Sequence, residues 1–494
     1  MKKPNLLFIS TDQQSFHALS AYGNPYVKTP NMDRLCREGV SFMRCYSTDP
    51  VCTPARTTWM TGRYSSETGV AFNDAVLHEH IPDLGTILNS NGYYAAHSGK
   101  WHVDGRDVRQ SFHTVYNGKR DILAGGAEFY DNTITHGAID FLTSYEGEQP
   151  FYLQVNYLNP HDICEYLHSH EFKDIPDLVS LGMLREDELP PLPDNFHYDQ
   201  NETVLQRVCR REKGALIHDK IRIATEKWTE VQWRYYIWHY YRFIEKVDRE
   251  IGNLLNVLEQ TPYKDNTLIL FTSDHGEACA SHRMFQKFTL YEESVRVPYV
   301  AACLGNGIQV AKGTVDHKHL ISGIDYVRTI CDYAGIEPPA GVHGRSLKPL
   351  IEGQQVTEWR DSVYIESNYY GRAIVTDRYK YIMEYTPNEQ NRNLPPNSKR
   401  NQRGLVQLFD LAEDPGETKN LATDPAYEGI ISQLQAEISF MESSLVQEPI
   451  THPQAVAILE QWSDAIASYW RRMKLSDGQK ETGAPFKPDE GEQE

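Results

Sequence analysis

The chain has 494 residues, more than one compact core usually organises, so a large domain with a smaller companion is expected. Its composition is globular, with 40% hydrophobic residues and 30 Tyr, which excludes an intrinsically disordered chain. The formal charge of −19 (49 basic against 68 acidic residues) argues against nucleic acid and anionic membranes as partners, and admits an anionic substrate only where basic side chains converge in a pocket.

In chain order, Met1-Lys2-Lys3-Pro4 is charged like the start of a signal peptide. The apolar run Asn5–Ile9 is too short for a signal core and reads as a first buried strand, Asn5–Thr11, ending at Asp12. As it stands the chain reads as cytoplasmic, or as periplasmic or secreted if a signal has been removed. Thr29–Leu35 opens a helix, with Pro30 and Asn31 near its start. Pro82–Asn91 is read as a helix and Gly92–His97 as a strand. Phe151–Leu158 is a strand ending at Asn159-Pro160-His161. Residues 163–228 form a long polar insertion containing Leu189-Pro190-Pro191-Leu192-Pro193, expected to be a lid or specificity element. Thr229–Glu259 is a long aromatic helix, Thr267–Thr272 a strand ending at Ser273-Asp274-His275-Gly276, and Val297–Cys303 a further strand. Strands alternating with helices predict a large, mainly parallel α/β sheet covered on both faces.

Beyond about residue 360 the pattern changes. Ser362–Glu366, Ala373–Thr376, Tyr379–Glu384 and Val406–Asp410 are short strands of a small antiparallel sheet, followed by helices near 427–443 and 452–473. The division expected is 1–360 for the catalytic part, 361–475 for a C-terminal subdomain and 476–494 for a disordered tail. No apolar stretch reaches the 18 residues of a membrane span. The aromatic stripes with Trp233, Trp238, Trp462 and Trp470 read as core packing, and an oligomer interface is compatible with them. The eight cysteines need no disulfide framework in a chain this long; Cys36, Cys303 and Cys331 read as small core residues.

The polar clusters Asp12, Lys100, His161 and Asp274 all follow strand ends, where open α/β sheets form their ligand crevice. Asp12-Gln13 and Asp274-His275 offer oxygen and imidazole donors for a hard or borderline divalent cation, although a single Asp after a strand equally caps a helix. Cys52-Thr53-Pro54-Ala55-Arg56 puts a thiol four residues before an Arg, at a helix start near Pro54 whose N–H groups favour an anion. Lys100 and His102, two apart on an extended segment, are expected to project to one side. With His161 and Lys287 they supply cations and a proton carrier. Singly, each reads equally as polar surface. Together they suit transfer of a tetrahedral oxyanion such as sulfate or phosphate.

The same residues resemble a known family. Cys52-Thr53-Pro54-Ala55-Arg56 is similar to the C-x-P-x-R signature of type I sulfatases of the alkaline phosphatase superfamily. Gly99-Lys100-Trp101-His102 resembles the second signature, and Asn159-Pro160-His161, Thr272–Glu277, Lys287 and Leu408–Leu421 follow in the family's order. The resemblance implies an alkaline phosphatase-like fold and a sulfatase acting on a sulfated sugar such as a glycosaminoglycan fragment. It implies that a maturation enzyme oxidises Cys52 to formylglycine. The hydrated form attacks sulfur through one hydroxyl and expels sulfate through the other. It implies a metal held by Asp12, Gln13, Asp274 and His275, calcium most often, with manganese and magnesium as alternatives. Arg56 and Lys100 would steady the formylglycine, His102 would orient or deprotonate it, and His161 and Lys287 would bind sulfate. Where many sulfatases carry two consecutive Asp, this chain has Asp12-Gln13. Gln13 with His275 also resembles choline sulfatases and phosphonate monoester hydrolases, so a phosphonate or phosphodiester hydrolase is the alternative. A silent oxyanion- or glycan-binding relative is a third reading.

Overall fold

Along the first strand, β1 (Asn5–Asp12), side chains alternate strictly. Leu7 and Ile9 enter one hydrophobic core, whereas Leu6 and Phe8 enter another. A strand buried on both faces belongs inside a sheet covered on both sides. The structure, a computed structural model, describes residues 3–117, 127–164, 182–197, 202, 203, 206, 225, 228–367, 369–386, 402–448, 450 and 452–477. Most of the 163–228 insertion and the 476–494 tail therefore lie outside the described residues.

The strands of the large part are β2 (Gly39–Phe42), β3 (Cys45–Tyr46), β4 (Tyr94–Gly99), β5 (His113–Asn117), β6 (Phe151–Pro160), β7 (Thr267–Ser273), β8 (Arg296–Val297), β9 (Tyr299–Ala302), β10 (Thr314–Asp316) and β11 (Ile321–Ser322). Eight of them form a sheet in the order β10-β2-β9-β7-β1-β6-β4-β5. Its pairings are parallel except where β9 runs against β2 and β7. The segment read as one strand from Val297 to Cys303 is thus corrected to two, β8 and β9. Pro298 separates them, and β8 pairs with β3 in a separate three-stranded sheet. Pro cannot donate to a ladder, so the run breaks there.

The helix expected at Pro82–Asn91 runs Leu84–Asn89. Asp83 caps it by accepting from the Thr86 N–H at 3.0 Å. The aromatic helix Glu230–Gln260 is capped by Thr229 and packs its buried stripe, including Trp233, Tyr236, Tyr240 and Phe243, onto the face of Leu7 and Ile9. Trp462 is also buried, whereas Trp238 is half-buried and stacks on Tyr235. Cys303 and Cys331 are core residues and Cys36 is half-buried; the described cysteines are all free thiols.

The antiparallel sheet follows as expected: β12 (Ser362–Ser367), β13 (Gly371–Thr376), β14 (Tyr379–Thr386) and β15 (Gln402–Asp410), paired in that order. Helices Glu428–Ser444 and Pro453–Asp477 cover it. Arg372 of β13, fully buried, pairs with Glu442 at 2.9 Å across this layer. Among the described residues, no helix is long and apolar enough to cross a membrane.

Candidate active site

Parallel register sets the strand ends side by side. Gly99 of β4 pairs with Asn156 of β6, Asp12 of β1 with Pro160 of β6, and Thr11 of β1 with Ser273 of β7. The residues just beyond, Lys100, His161, Gln13 and Asp274, therefore share one sheet edge, the usual crevice position in such sheets. The turn out of β4 requires glycine: Gly99 has φ +113°, and a Cβ there would sit 2.1 Å from the Asn156 carbonyl oxygen. That carbonyl accepts the Lys100 N–H at 2.9 Å, and Asn156 Nδ2 donates to the Lys100 carbonyl at 2.9 Å. Lys100 is held at both of its backbone groups.

Cys52 is the first residue of the helix Cys52–Thr61, whose side chains are all buried. Its Sγ lies 2.9 Å from Lys287 Nζ, 3.2 Å from His275 Nε2 and 3.8 Å from Asp12 Oδ1. His102 and His161 also hydrogen-bond the thiol. Burial acts to raise the Cys52 pKa. Lys100, Lys287 and His275, with the His102 hydrogen bond, outweigh it and hold the thiol well below its ordinary value. The positive end of the helix dipole acts in the same direction.

Arg56, one turn along that helix, straps the two strand-end carboxylates together: Nη2 reaches Asp12 Oδ2 at 3.0 Å and Nε reaches Asp274 Oδ2 at 2.9 Å. Lys100 also pairs with Asp12. Burial and the Cys52 thiolate push Asp12 up, yet Lys100, His161 and Arg56 together hold it below the usual carboxylate range. Asp274 is raised, by burial first and then by Asp12. The His275 Nδ1 lies 3.0 Å from the Gly276 carbonyl, which can only accept, so Nδ1 is the donor there and Nε2 is the nitrogen that faces Cys52. His161 is pushed down to about 3, by burial first, with Lys287 and Lys100 outweighing the Asp12 carboxylate.

The donors fit a divalent cation. Ligand atoms of Asp12, Cys52, Asp274 and His275 all lie within 4.8 Å of one another, and Gln13 Oε1 joins them through their shared neighbour Lys287, at 2.9 Å. Two carboxylates, an amide oxygen and an imidazole nitrogen suit a hard or borderline ion.

All ten residues singled out in the sequence come together. Asp12, Gln13, Cys52, Arg56, Asp274, His275 and Lys287 are buried, whereas Lys100, His102 and His161 are half-buried. The site therefore opens on the side of those three. One expectation is corrected: Lys100 and His102 do not lie on an extended segment. β4 ends at Gly99, and His102 has φ +49°, so a left-handed turn rather than strand alternation brings both to Cys52. Two supporting residues escaped the sequence reading. Asn156 is an apolar-run Asn whose partners are long-range. Glu277, two residues beyond His275, closes the Thr272–Glu277 motif, and its partners too are distant in the chain.

The model of the family described as Sulfatase matches residues 4–336. The chain belongs to the sulfatase family. It is a sulfuric ester hydrolase of the type I group, in the alkaline phosphatase superfamily. A second family model, N-sulphoglucosamine sulphohydrolase, C-terminal, matches residues 280–444 of this sulfatase. Delta 4,5-hexuronate-2-O-sulfatase of Bacteroides thetaiotaomicron is 30% identical over 456 residues, covering 88% of each chain. Among solved structures, a 2-O GAG sulfatase superposes with a TM-score of 0.73 at 27% identity, covering 92% of this chain and 96% of that one. The phosphonate monoester hydrolase of Agrobacterium radiobacter shares the fold, with a TM-score of 0.70 at 22% identity over 90% of this chain and 97% of that one.

Proposed function

We propose that this sulfatase releases sulfate from a sulfated carbohydrate, a glycosaminoglycan-derived oligosaccharide, with Cys52 as the nucleophile position after conversion to formylglycine by a separate maturation enzyme. The observation that carries the reading is the convergence on Cys52 Sγ of Lys287 at 2.9 Å and His275 at 3.2 Å, with Arg56, Lys100, His102 and His161 around them. The substrate class follows the names of the relatives, among them a hexuronate-2-O-sulfatase and a 2-O GAG sulfatase structure.

Converted to an aldehyde hydrate, Cys52 would supply one hydroxyl to attack sulfur and a second for release of the sulfate. Asp12, Gln13, Asp274 and His275 would hold calcium, which when bound offers Lewis-acid stabilisation of charge on sulfate oxygens. The chain's own cations do the rest. Buried Lys287 and half-buried Lys100 receive the sulfate oxygens away from bulk water, where their charge counts for more. Arg56 keeps Asp12 and Asp274 in place. His102 orients the nucleophile from the half-buried rim. His161 stands on the open side where the alcohol leaves. It is neutral before substrate arrives, and an approaching sulfate monoanion favours its protonation, so it is the group placed to protonate the leaving oxygen.

The test is sulfate release from a panel of sulfated mono- and disaccharides, unsaturated uronic acid 2-O-sulfates included, beside a matched aryl phosphodiester and with Cys52→Ala as control. Conversion of Cys52 is checked by peptide mass. Release from a sugar sulfate, abolished in Cys52→Ala, is the result expected. Turnover of the phosphodiester alone by converted protein would replace this reading with that of a phosphodiesterase, the alternative that Gln13 with His275 brings.

A further inference from the structure

Gln13 is an amide where a carboxylate would bind metal without regard to orientation. An amide offers oxygen on one side only, and inverted it presents two N–H donors that no cation accepts. Something must therefore decide which way Gln13 points. Lys287 Nζ, a donor only, lies 2.9 Å from Gln13 Oε1. On the other side Gln13 Nε2 donates to Glu277 Oε2 at 2.6 Å. A lysine can only donate and a carboxylate can only accept, so the two partners agree on one orientation.

Glu277 is fully buried and does more than meet Gln13. Its Oε1 accepts from the Tyr236 hydroxyl at 2.8 Å, from the Cys279 N–H at 3.2 Å and from the Gln286 N–H at 2.6 Å. The last two belong to the loop that ends in Lys287. In that loop Cys279, Ala280, His282, Arg283 and Gln286 all have positive φ without being glycine. Such a conformation persists only where surrounding contacts over-determine it. One carboxylate thus ties together the orientation of Gln13, the loop presenting Lys287 and the helix Glu230–Gln260.

We propose that Glu277 is a positioning residue that holds the Gln13 amide oxygen toward the metal and keeps Lys287 beside it. The inference rests on the reading of Asp12, Gln13, Asp274 and His275 as the metal site.

Glu277→Gln separates orientation from packing, because it is isosteric. Two backbone N–H groups and the Tyr236 hydroxyl keep the new Oε1 where Glu277 Oε1 was. Its amide nitrogen then faces Gln13 Nε2, donor against donor, and Gln13 must invert. Calcium affinity, read by the shift of the melting temperature in calcium chloride titrations, is expected to fall about 10- to 100-fold, the usual consequence of removing a group that orients a ligand. Melting without metal should change little.

The exchange variant Gln13→Glu with Glu277→Gln restores an oxygen toward the metal and an amide donor behind it, at unchanged total charge. It should recover most of the affinity. Wild-type calcium affinity in Glu277→Gln overturns the proposal, as does an exchange variant that folds and fails to recover. If Glu277→Gln does not fold, the exchange variant against Gln13→Glu alone carries the comparison. Gln13→Glu sets two carboxylates against each other and should bind calcium more weakly than the exchange; equal affinity overturns the proposal. Wild-type protein that responds to neither calcium, magnesium nor manganese would instead remove the metal reading beneath it.

Discussion

Lys287 Nζ lies 2.9 Å from Cys52 Sγ although 235 residues separate the two in the chain. Both are buried; burial acts to lower the Lys287 pKa, but the negative charges of Cys52, Asp12 and Asp274 outweigh it and push Lys287 above its ordinary value. The pair is a built-in cation beside the nucleophile position. Removing Lys287 should therefore act on Cys52 directly. In Lys287→Gln the thiol pKa of unconverted protein rises, as read by thiolate absorbance against pH, and sulfate release by converted protein drops about 10²- to 10³-fold in kcat. An unmoved thiolate titration would show that the other cations suffice.

Arg56 joins two buried carboxylates through separate nitrogens, a geometry lysine cannot copy. Arg56→Met strands Asp12 and Asp274 with less compensation, and a loss of about 3–5 kcal/mol is expected in denaturant unfolding without metal. Calcium should restore part of that loss, since a divalent ion replaces the missing charge between the same carboxylates. Equal losses with and without calcium would mean that the ion does not sit there.

At Gly99 the positive φ acts together with the Asn156 carbonyl oxygen, which would lie 2.1 Å from a Cβ added there. Gly99→Ala should lower stability by about 1–3 kcal/mol and weaken activity more than stability, because the displaced backbone carries Lys100. Circular dichroism melting and a sulfate-release assay on the same sample separate the two effects.

His97 is fully buried between Trp101 and Phe112, and burial holds its pKa down to about 3. Below the ordinary histidine value of about 6.5 the unfolded chain gains a proton that the folded one refuses, so stability falls as pH falls through the window from 6.5 toward 3. From pH 7.5 to 5 the contribution of His97 is about 2 kcal/mol. Urea midpoints at the two pH values should differ accordingly, and His97→Gln should shrink the difference. A slope unchanged in that variant would assign the acid sensitivity elsewhere, with His161 next in line.

Much of this architecture was legible in the chain because it rests on local patterns. The alternating burial of Leu6 to Ile9, the capping of the long helix by Thr229 and the four C-terminal strands each follow from periodicity and caps within about ten residues. The site residues were legible for a different reason. Their spacing in Cys52–Arg56 and Thr272–Glu277 resembles a family whose order of motifs runs through the chain. The errors have a common cause. A single residue breaks each apolar or extended run: Pro298 lacks the N–H that would carry the strand from Val297 to Cys303, and Gly99 turns the backbone that bears Lys100 and His102 out of the sheet.

By itself the sequence determined the class of fold and the family, and it nominated the ten candidate residues that the fold brings together, since these depend on residue type, period and order. Only the tertiary structure decided that β1 lies between β6 and β7, that His102 reaches Cys52 through a left-handed turn, and that Glu277 faces Gln13 across 264 residues. Those outcomes depend on long-range strand pairing and on the dihedral angles of loops, and a contact of under 3 Å between distant residues leaves no trace in local periodicity.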